Sequence, residues 1–179
     1  MPEPGDAAPS VLDFGAVYRA HAGDLRRFAL YLSGDAALAD DLVSEAFVRL
    51  WTARDRIVLP TLRGYLFAIV RNLFLQRLRQ ERREAPLDEA QPDGRADPEE
   101  RARDRSELRV VMWALGRLPE IDRAAVLMRA DEGLSYEEIA AALGLTTAAA
   151  KVKVHRARLK LAEARVTVST RAWPEERRP

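Results

Sequence analysis

Ser135-Tyr-Glu-Glu-Ile-Ala-Ala-Ala-Leu-Gly-Leu-Thr-Thr-Ala-Ala-Ala-Lys-Val-Lys-Val-His-Arg-Ala-Arg158 decides how the rest of this 179-residue chain is read. Ser135 followed by Glu138 spells a capping box, in which hydroxyl and carboxylate each satisfy an amide left free at a helix start. Ile139, Ala140 and Leu143 then recur at helical spacing, and Gly144 stands where a chain leaving a helix turns through a positive φ. Thr146 can cap a second helix. Along that helix Ala150, Val154, Ala157 and Leu161 make an inward stripe, while Lys151, Lys153, His155, Arg156, Arg158 and Lys160 take the remaining faces. Two short helices, a glycine turn and a basic second helix spell a helix-turn-helix, whose second helix lies in the DNA major groove. A surface helical hairpin with a solvated charged face is the plainer alternative. The small Ala140 at the helix crossing, with cap, turn and basic helix in agreement, favours the DNA reading.

The bulk composition, 47% hydrophobic and 32% charged, is that of an ordinary globular protein rather than a disordered one. No run approaches the roughly 18 apolar residues of a membrane span, and the acidic start Met1-Pro-Glu-Pro-Gly-Asp6 lacks the apolar core of a secretory signal. A cytoplasmic protein without membrane insertion is expected. The absence of cysteine excludes disulfides and thiolate metal sites. A net charge of +1 predicts no polyanion partner, but its distribution does. Residues 61–83 hold six arginines against one acid, and residues 147–165 hold six bases against one acid. Residues 84–105, between them, carry eight acids against four arginines. Two basic elements in acidic surroundings suit a protein that touches one polyanion at two places.

Strand signals are nearly absent, with no sustained alternation and no Asn-Gly turn, so the expected fold is all-α. Residues 1–12, rich in Pro and Ala, read as disordered. Asp13 can cap a helix with Phe14, Val17, Tyr18, Leu25, Phe28, Ala29 and Leu32 facing inward. A second helix runs from about Ala36 to Ala53 over Ala39, Leu42, Val43, Ala46, Phe47 and Leu50. After a loop from Arg54 to Pro60, Thr61 can cap a long third helix to about Arg83. Residues 84–105, with three prolines and no apolar periodicity, read as an extended acidic linker. Helices resume near Ser106 with Leu108, Val111, Met112 and Leu115. Leu118-Pro119 then breaks that helix and opens another through Ala130. Two small helical domains are thus expected, 13–83 and 106–165, with a frayed tail over 166–179.

On a wheel at about 100° per residue, residues 61–83 divide into three arcs. Leu62, Tyr65, Leu66, Ile69, Val70 and Leu73 form a core arc, and Arg71, Asn72, Arg79 and Arg82 lie opposite. Phe67, Phe74 and Leu78 make an apolar flank between them. Arginine beside aromatics suits an unpaired strand, because guanidinium meets phosphate while rings stack on bases. A solvated arginine face over a phenylalanine core explains the same residues. On the second helix Asp40, Asp41, Ser44, Glu45, Val48 and Arg49 gather away from the core, with Trp51 near its end. That strip could dock a basic partner, although helix-start acids are favoured by the macrodipole alone. No phosphate loop, metal-spaced cluster or nucleophile elbow is present, so no enzyme, catalytic residue, metal or cofactor is expected. His21 and His155 lie in different domains.

In these segments the chain resembles the extracytoplasmic-function (ECF) sigma factors, promoter-recognition subunits of bacterial RNA polymerase. Asp40-Asp41-Leu-Val-Ser-Glu-Ala-Phe-Val-Arg-Leu-Trp51 is similar to the family's core-binding helix. Leu62-Arg-Gly-Tyr-Leu-Phe-Ala-Ile-Val-Arg-Asn72, with Leu78-Arg79 and Arg82-Arg83, is similar to its −10-element helix. Leu115-Gly-Arg-Leu-Pro119 opens the second domain as in the family, and Gly133 through Arg158 is similar to its −35-binding helix-turn-helix. The resemblance implies core binding (β′ and β subunits) through Asp40, Asp41, Glu45, Val48, Arg49 and Trp51. It implies −10 contacts from Arg63, Tyr65, Arg71, Asn72, Arg79 and Arg82, with a pocket for an extruded base at Arg54–Arg63. It implies −35 contacts from Thr147, Lys151, Val152, Lys153, His155, Arg156 and Arg158, Lys153 and Arg158 lying nearer phosphate. Promoter DNA and an anti-sigma factor would be partners. The chain departs from the family at Tyr65 and Gln76, where Trp and Asp are common, and at Ser44, where Gln is common. It departs again at Thr147-Ala-Ala-Ala-Lys151, where Gly-Thr-Val-Lys or Gly-Thr-Val-Arg is usual, and at Val152 for Ser. A stand-alone helix-turn-helix regulator with a sensing or dimerising first domain, or a purely structural helical adaptor, are the readings from other classes.

Overall fold

The computed structural model describes residues 13–53, 62–84, 106–130 and 133–170, which form seven helices and, among the described residues, no strand. The expectations for 1–12, for the loop 54–60 with its cap Thr61 and base pocket, for 85–105 and for 171–179 lie outside them. Helix α1 (Phe14–Ser33) starts where Asp13 Oδ1 accepts from the Ala16 amide at 3.0 Å. It stops at Gly34, whose φ of +77° an L side chain would resist. Asp35 then caps α2 (Ala36–Ala53), its carboxylate accepting from the Leu38 amide at 3.0 Å. So short a turn lays α2 antiparallel on α1. Both pack against α3 (Leu62–Glu84). Phe28 and Phe67 meet edge to face at 5.0 Å, both essentially without water contact, and each such ring contributes about 1.5–3 kcal/mol of burial.

The second half contains α4 (Ser106–Gly116), α5 (Glu120–Ala130), α6 (Tyr136–Leu143) and α7 (Thr147–Thr170). The amides of Asp122 and Arg123 both reach the Pro119 carbonyl at 3.0 Å, starting α5 directly after the break. Residues Asp122 to Met128 of α5 are all buried. A helix hidden all round must have neighbours on every side, and α5 has them: α6 and α7 on one side, α1 on the other. Helix α3 also touches α6. The buried side chains therefore form one continuous apolar cluster that runs from α1–α3 into α5–α7.

That arrangement corrects several expectations. Phe67 and Phe74 are buried at 1% and 4% exposure, so neither can stack on a base, because α3 is covered on two sides instead of one. Tyr18 and Tyr65 are not core but 48% and 38% exposed, their rings half-covered where a phenol keeps its hydroxyl in water. Val111 is likewise 48% exposed on α4. The tail does not fray at Val166, since α7 continues to Thr170.

Candidate nucleic-acid interface

The helix-turn-helix is built as its caps dictate. The Ser135 hydroxyl accepts from the Glu138 amide at 3.1 Å, and the Glu138 carboxylate accepts from the Ser135 amide at 2.8 Å. Gly144 adopts a φ of +65°, and the Leu145 amide donates to the Ala140 carbonyl at 2.8 Å, closing the helix end. Thr146 Oγ1 accepts from the Ala149 amide at 3.1 Å and starts α7. Ala150, Val154 and Ala157 are buried against the remaining helices, which turns the opposite side of α7 to solvent. There Lys151, Val152, His155 and Arg156 form one exposed face, Arg158 is also exposed, and Thr147 is half-covered at the helix start. Lys151 Nζ stands 5.6 Å from the Tyr136 ring centroid, and the Arg129 guanidinium lies 4.9 Å over the same ring.

Lys153 does not belong to that face. Its ammonium lies 3.1 Å from Asp122 Oδ1 on α5, and Asp122 is almost wholly buried. That ion pair packs α7 against α5 and directs the ammonium away from the open face.

On α3, Asn72, Arg79 and Arg82 are exposed along one side. Arg79 and Arg82 rim a groove of about 340 Å³ whose wall includes Leu75, Leu78 and Leu118. Arg63, at the start of α3, lies 3.5 Å from Asp24 of α1. Arg71 is different from its neighbours. Its Nε and Nη2 donate to the two carboxylate oxygens of Glu120 at 2.7 Å each, and the side chains are only 12% and 19% exposed. Nearby, His21 of α1 has its pKa lowered from 6.5, first by burial and then by the Arg63 charge, with Asp24 opposing.

The α2 strip is partly self-neutralised. Asp40 is paired with Arg26 of α1 at 2.6 Å, and Glu45 with Arg49 at 2.8 Å. Arg49 also donates to Gln76 of α3 at 3.1 Å, which fixes it across the α2–α3 seam. Asp41 is exposed with no polar partner among the described residues, beside Val48 at 65% and Trp51 at 50% exposure. The ring of Trp51 is steadied edge-on by Phe14 at 5.3 Å. The structure thus brings together two solvent-facing basic surfaces and one acidic-apolar strip. Sequence reasoning missed the residues that hold them: Arg26, Gln76, Glu120 and Asp122. Two signals were there: Gln76 as a departure from the family pattern, and Glu120-Ile-Asp-Arg123, three charges crowded on the first turn of α5. Among the described residues no cluster of His, Cys, Asp and Glu could hold a metal, and no helix is long and apolar enough to cross a membrane.

Comparison with known proteins follows the same division. Residues 17–84 match the family model of Sigma-70 region 2, and residues 108–161 that of Sigma-70, region 4. The ECF RNA polymerase sigma factor SigE of Mycolicibacterium smegmatis is 36% identical over 162 residues, covering 88% of this chain and 63% of that protein. The chain thus spans less than two thirds of that relative. The ECF RNA polymerase sigma factor EcfG of Rhodopseudomonas palustris is 38% identical over 144 residues, 76% of each chain. Among solved structures, the sigma factor RpoE in complex with the anti-sigma factor NepR from Bartonella quintana is similar with a TM-score of 0.69 and 28% identity. That match covers 87% of this chain and 98% of the other. CnrH in complex with the cytosolic domain of CnrY is similar with a TM-score of 0.65 and 28% identity, over 87% and 88% of the two chains.

Proposed function

The chain belongs to the ECF RNA polymerase sigma factors, and from that premise we propose that it binds polymerase core in the cytoplasm and directs it to promoters with a −10 and a −35 element. The observation that carries this reading is α7, a capped helix with Lys151, Val152, His155 and Arg156 on one open face and an apolar stripe behind it. A helix so presented can enter a major groove, where Arg reads guanine and a Val side chain touches a thymine methyl. The exposed Asn72, Arg79 and Arg82 on α3 suit the backbone of an opened −10 strand, and Arg63, Tyr65 and Arg71 would complete that surface. Asp41, Glu45, Val48 and Trp51 would meet polymerase core, with Asp40 and Arg49 pinned beside them by Arg26 and Gln76.

Residues 13–83 and 106–165 would act as the two promoter-reading units. The solved relatives in complex with anti-sigma factors support such a protein as the regulator of this one. It would cover the α2 strip around Asp41–Arg49. Among the described residues, the buried side chains of α1–α3 are apolar. The test is reconstitution with polymerase core on a promoter library, reading transcription starts. Starts at shared −10 and −35 sequences are expected. Random starts, or none, would refute the reading.

A further inference from the structure

Arg49 of α2 and Gln76 of α3 meet across the seam between the α2 strip and the basic face of α3. The Arg49 Nη2 group donates to Glu45 Oε1 at 2.8 Å and to Gln76 Oε1 at 3.1 Å. A guanidinium only donates, so the amide oxygen of Gln76 is the atom turned toward it, and a flipped amide would set donor against donor. The Gln76 Nε2 group is thereby directed away from Arg49. It has no polar partner among the described residues, and the residue is exposed. Gln80, one turn along, is different: its Nε2 donates to Glu84 at 2.9 Å.

The surroundings of that free donor say what it suits. At about 100° per residue, Asn72, Gln76, Arg79 and Arg83 fall within an arc of about 60°, with Gln76 between Asn72 and Arg79. All four are exposed. Gln76, Arg79 and Arg83, with Gln80 and Glu84, line a shallow recess of about 490 Å³ on that side of the helix. The arc thus runs through two amides and two guanidiniums, and each of them can offer N–H donors. Its complement is a row of acceptor oxygens, which a nucleic-acid strand carries on its phosphates and its base carbonyls.

Resting on the sigma-factor reading, we propose that Gln76 is a further strand-contacting residue of α3, donating from Nε2 to an acceptor oxygen of the opened −10 strand. Arg49 is the positioning residue that aims it. With Oε1 occupied, only the donor half of the amide is free, so the two-point pairing by which glutamine reads adenine is closed to it. The contact selects for an acceptor oxygen rather than for one base. A carboxylate, common in the family at this position, would turn acceptors and a negative charge toward the same strand. Glutamine here reverses that sign. One side-chain pair also ties the helix assigned to polymerase core to the helix assigned to the strand.

The test is the affinity of the full-length chain for a labelled, mixed-sequence single-stranded DNA oligonucleotide. Gln76→Ala removes one hydrogen bond and should weaken binding about three- to tenfold. Gln76→Glu keeps the side-chain length and offers Arg49 a stronger acceptor, yet replaces the donor by a charge. It should weaken binding further and reduce the salt slope by about 0.7. Gln80→Glu places the same charge one turn away and should cost less. Arg49→Ala should weaken binding in the wild-type background and do less beside Gln76→Ala, as two residues acting together require. On an abasic strand of equal length, the Gln76→Ala loss persists if the acceptor is phosphate and vanishes if it is a base carbonyl. Circular dichroism and thermal unfolding check that each variant is folded. If Gln76 only props Arg49 at the seam, Gln76→Glu will bind the strand as wild type does. That result would overturn the proposal, as would equal losses for Gln76→Glu and Gln80→Glu. Failure of the sigma-factor reading looks different: strand affinity follows Gln76 as described, yet the wild-type chain gives no promoter-specific starts with polymerase core.

Discussion

Arg156 and Lys153 sit three residues apart on α7 and belong to different chemistry. Arg156 faces water on the open side, so Arg156→Ala should cost about 1–3 kcal/mol of binding if the guanidinium reads a base edge. It should also relax sequence preference, measured on matched and scrambled −35 duplexes. Lys153→Ala should act on folding instead, because it strands the buried Asp122 carboxylate. A cost of about 2–3 kcal/mol in thermal unfolding is expected, below the ~3–5 of a fully buried pair because Lys153 keeps some water contact. Its effect on the salt dependence of DNA binding should fall short of one full charge. His21 gives a prediction in pH. Its folded-state pKa is lowered from 6.5, chiefly by burial, so below that value the unfolded chain binds the proton more readily than the folded one. Stability should therefore fall as pH drops from 6.5 through the folded-state value, and His21→Gln should flatten that part of the stability curve.

Helix ends and faces carry the next level of argument. Ser135→Ala removes one half of the capping box and should lower stability by about 1 kcal/mol. Because α6 supports α7, the same change should loosen the recognition helix, seen as faster amide exchange over residues 147–157. On α2, Asp40 and Glu45 already have cationic partners, whereas Asp41 does not among the described residues. Reversing the charge of Asp41 and Glu45 together should weaken core binding in a pull-down and leave helicity intact. Unaltered capture by core would remove the strip from the proposed interface. The helix boundaries and caps were legible in the chain because their signals are local: Asp13, Ser135, Gly144 and Pro119 each act within one turn. The facing of α3 was not. Its wheel placed Phe67 and Phe74 on a free flank, and only the packing of neighbouring helices on α3, with Phe28 of α1 against the Phe67 ring, buries them.

Across the whole molecule, one apolar cluster joins both halves through α5. A core defect in the first half should therefore be felt in the second. Leu25→Ala should destabilise by about 2–5 kcal/mol. It should also lower amide-exchange protection in α5, since α1 packs against that helix. Protection in α5 that ignores Leu25→Ala would mean the halves fold independently.

Periodicity, caps and the spacing of charge were enough to establish an all-α chain, its helix-turn-helix and its two basic segments, because each depends on residues a few positions apart. The family followed from the order of those segments. Which basic residues are free to meet DNA did not follow, because that depends on neighbours far along the chain. Arg71 meets Glu120 only once α5 packs on the first half, and Lys153 meets Asp122 only once α7 packs on α5. A residue pattern records the side of a helix on which a charge sits. It does not record which carboxylate the fold brings against it.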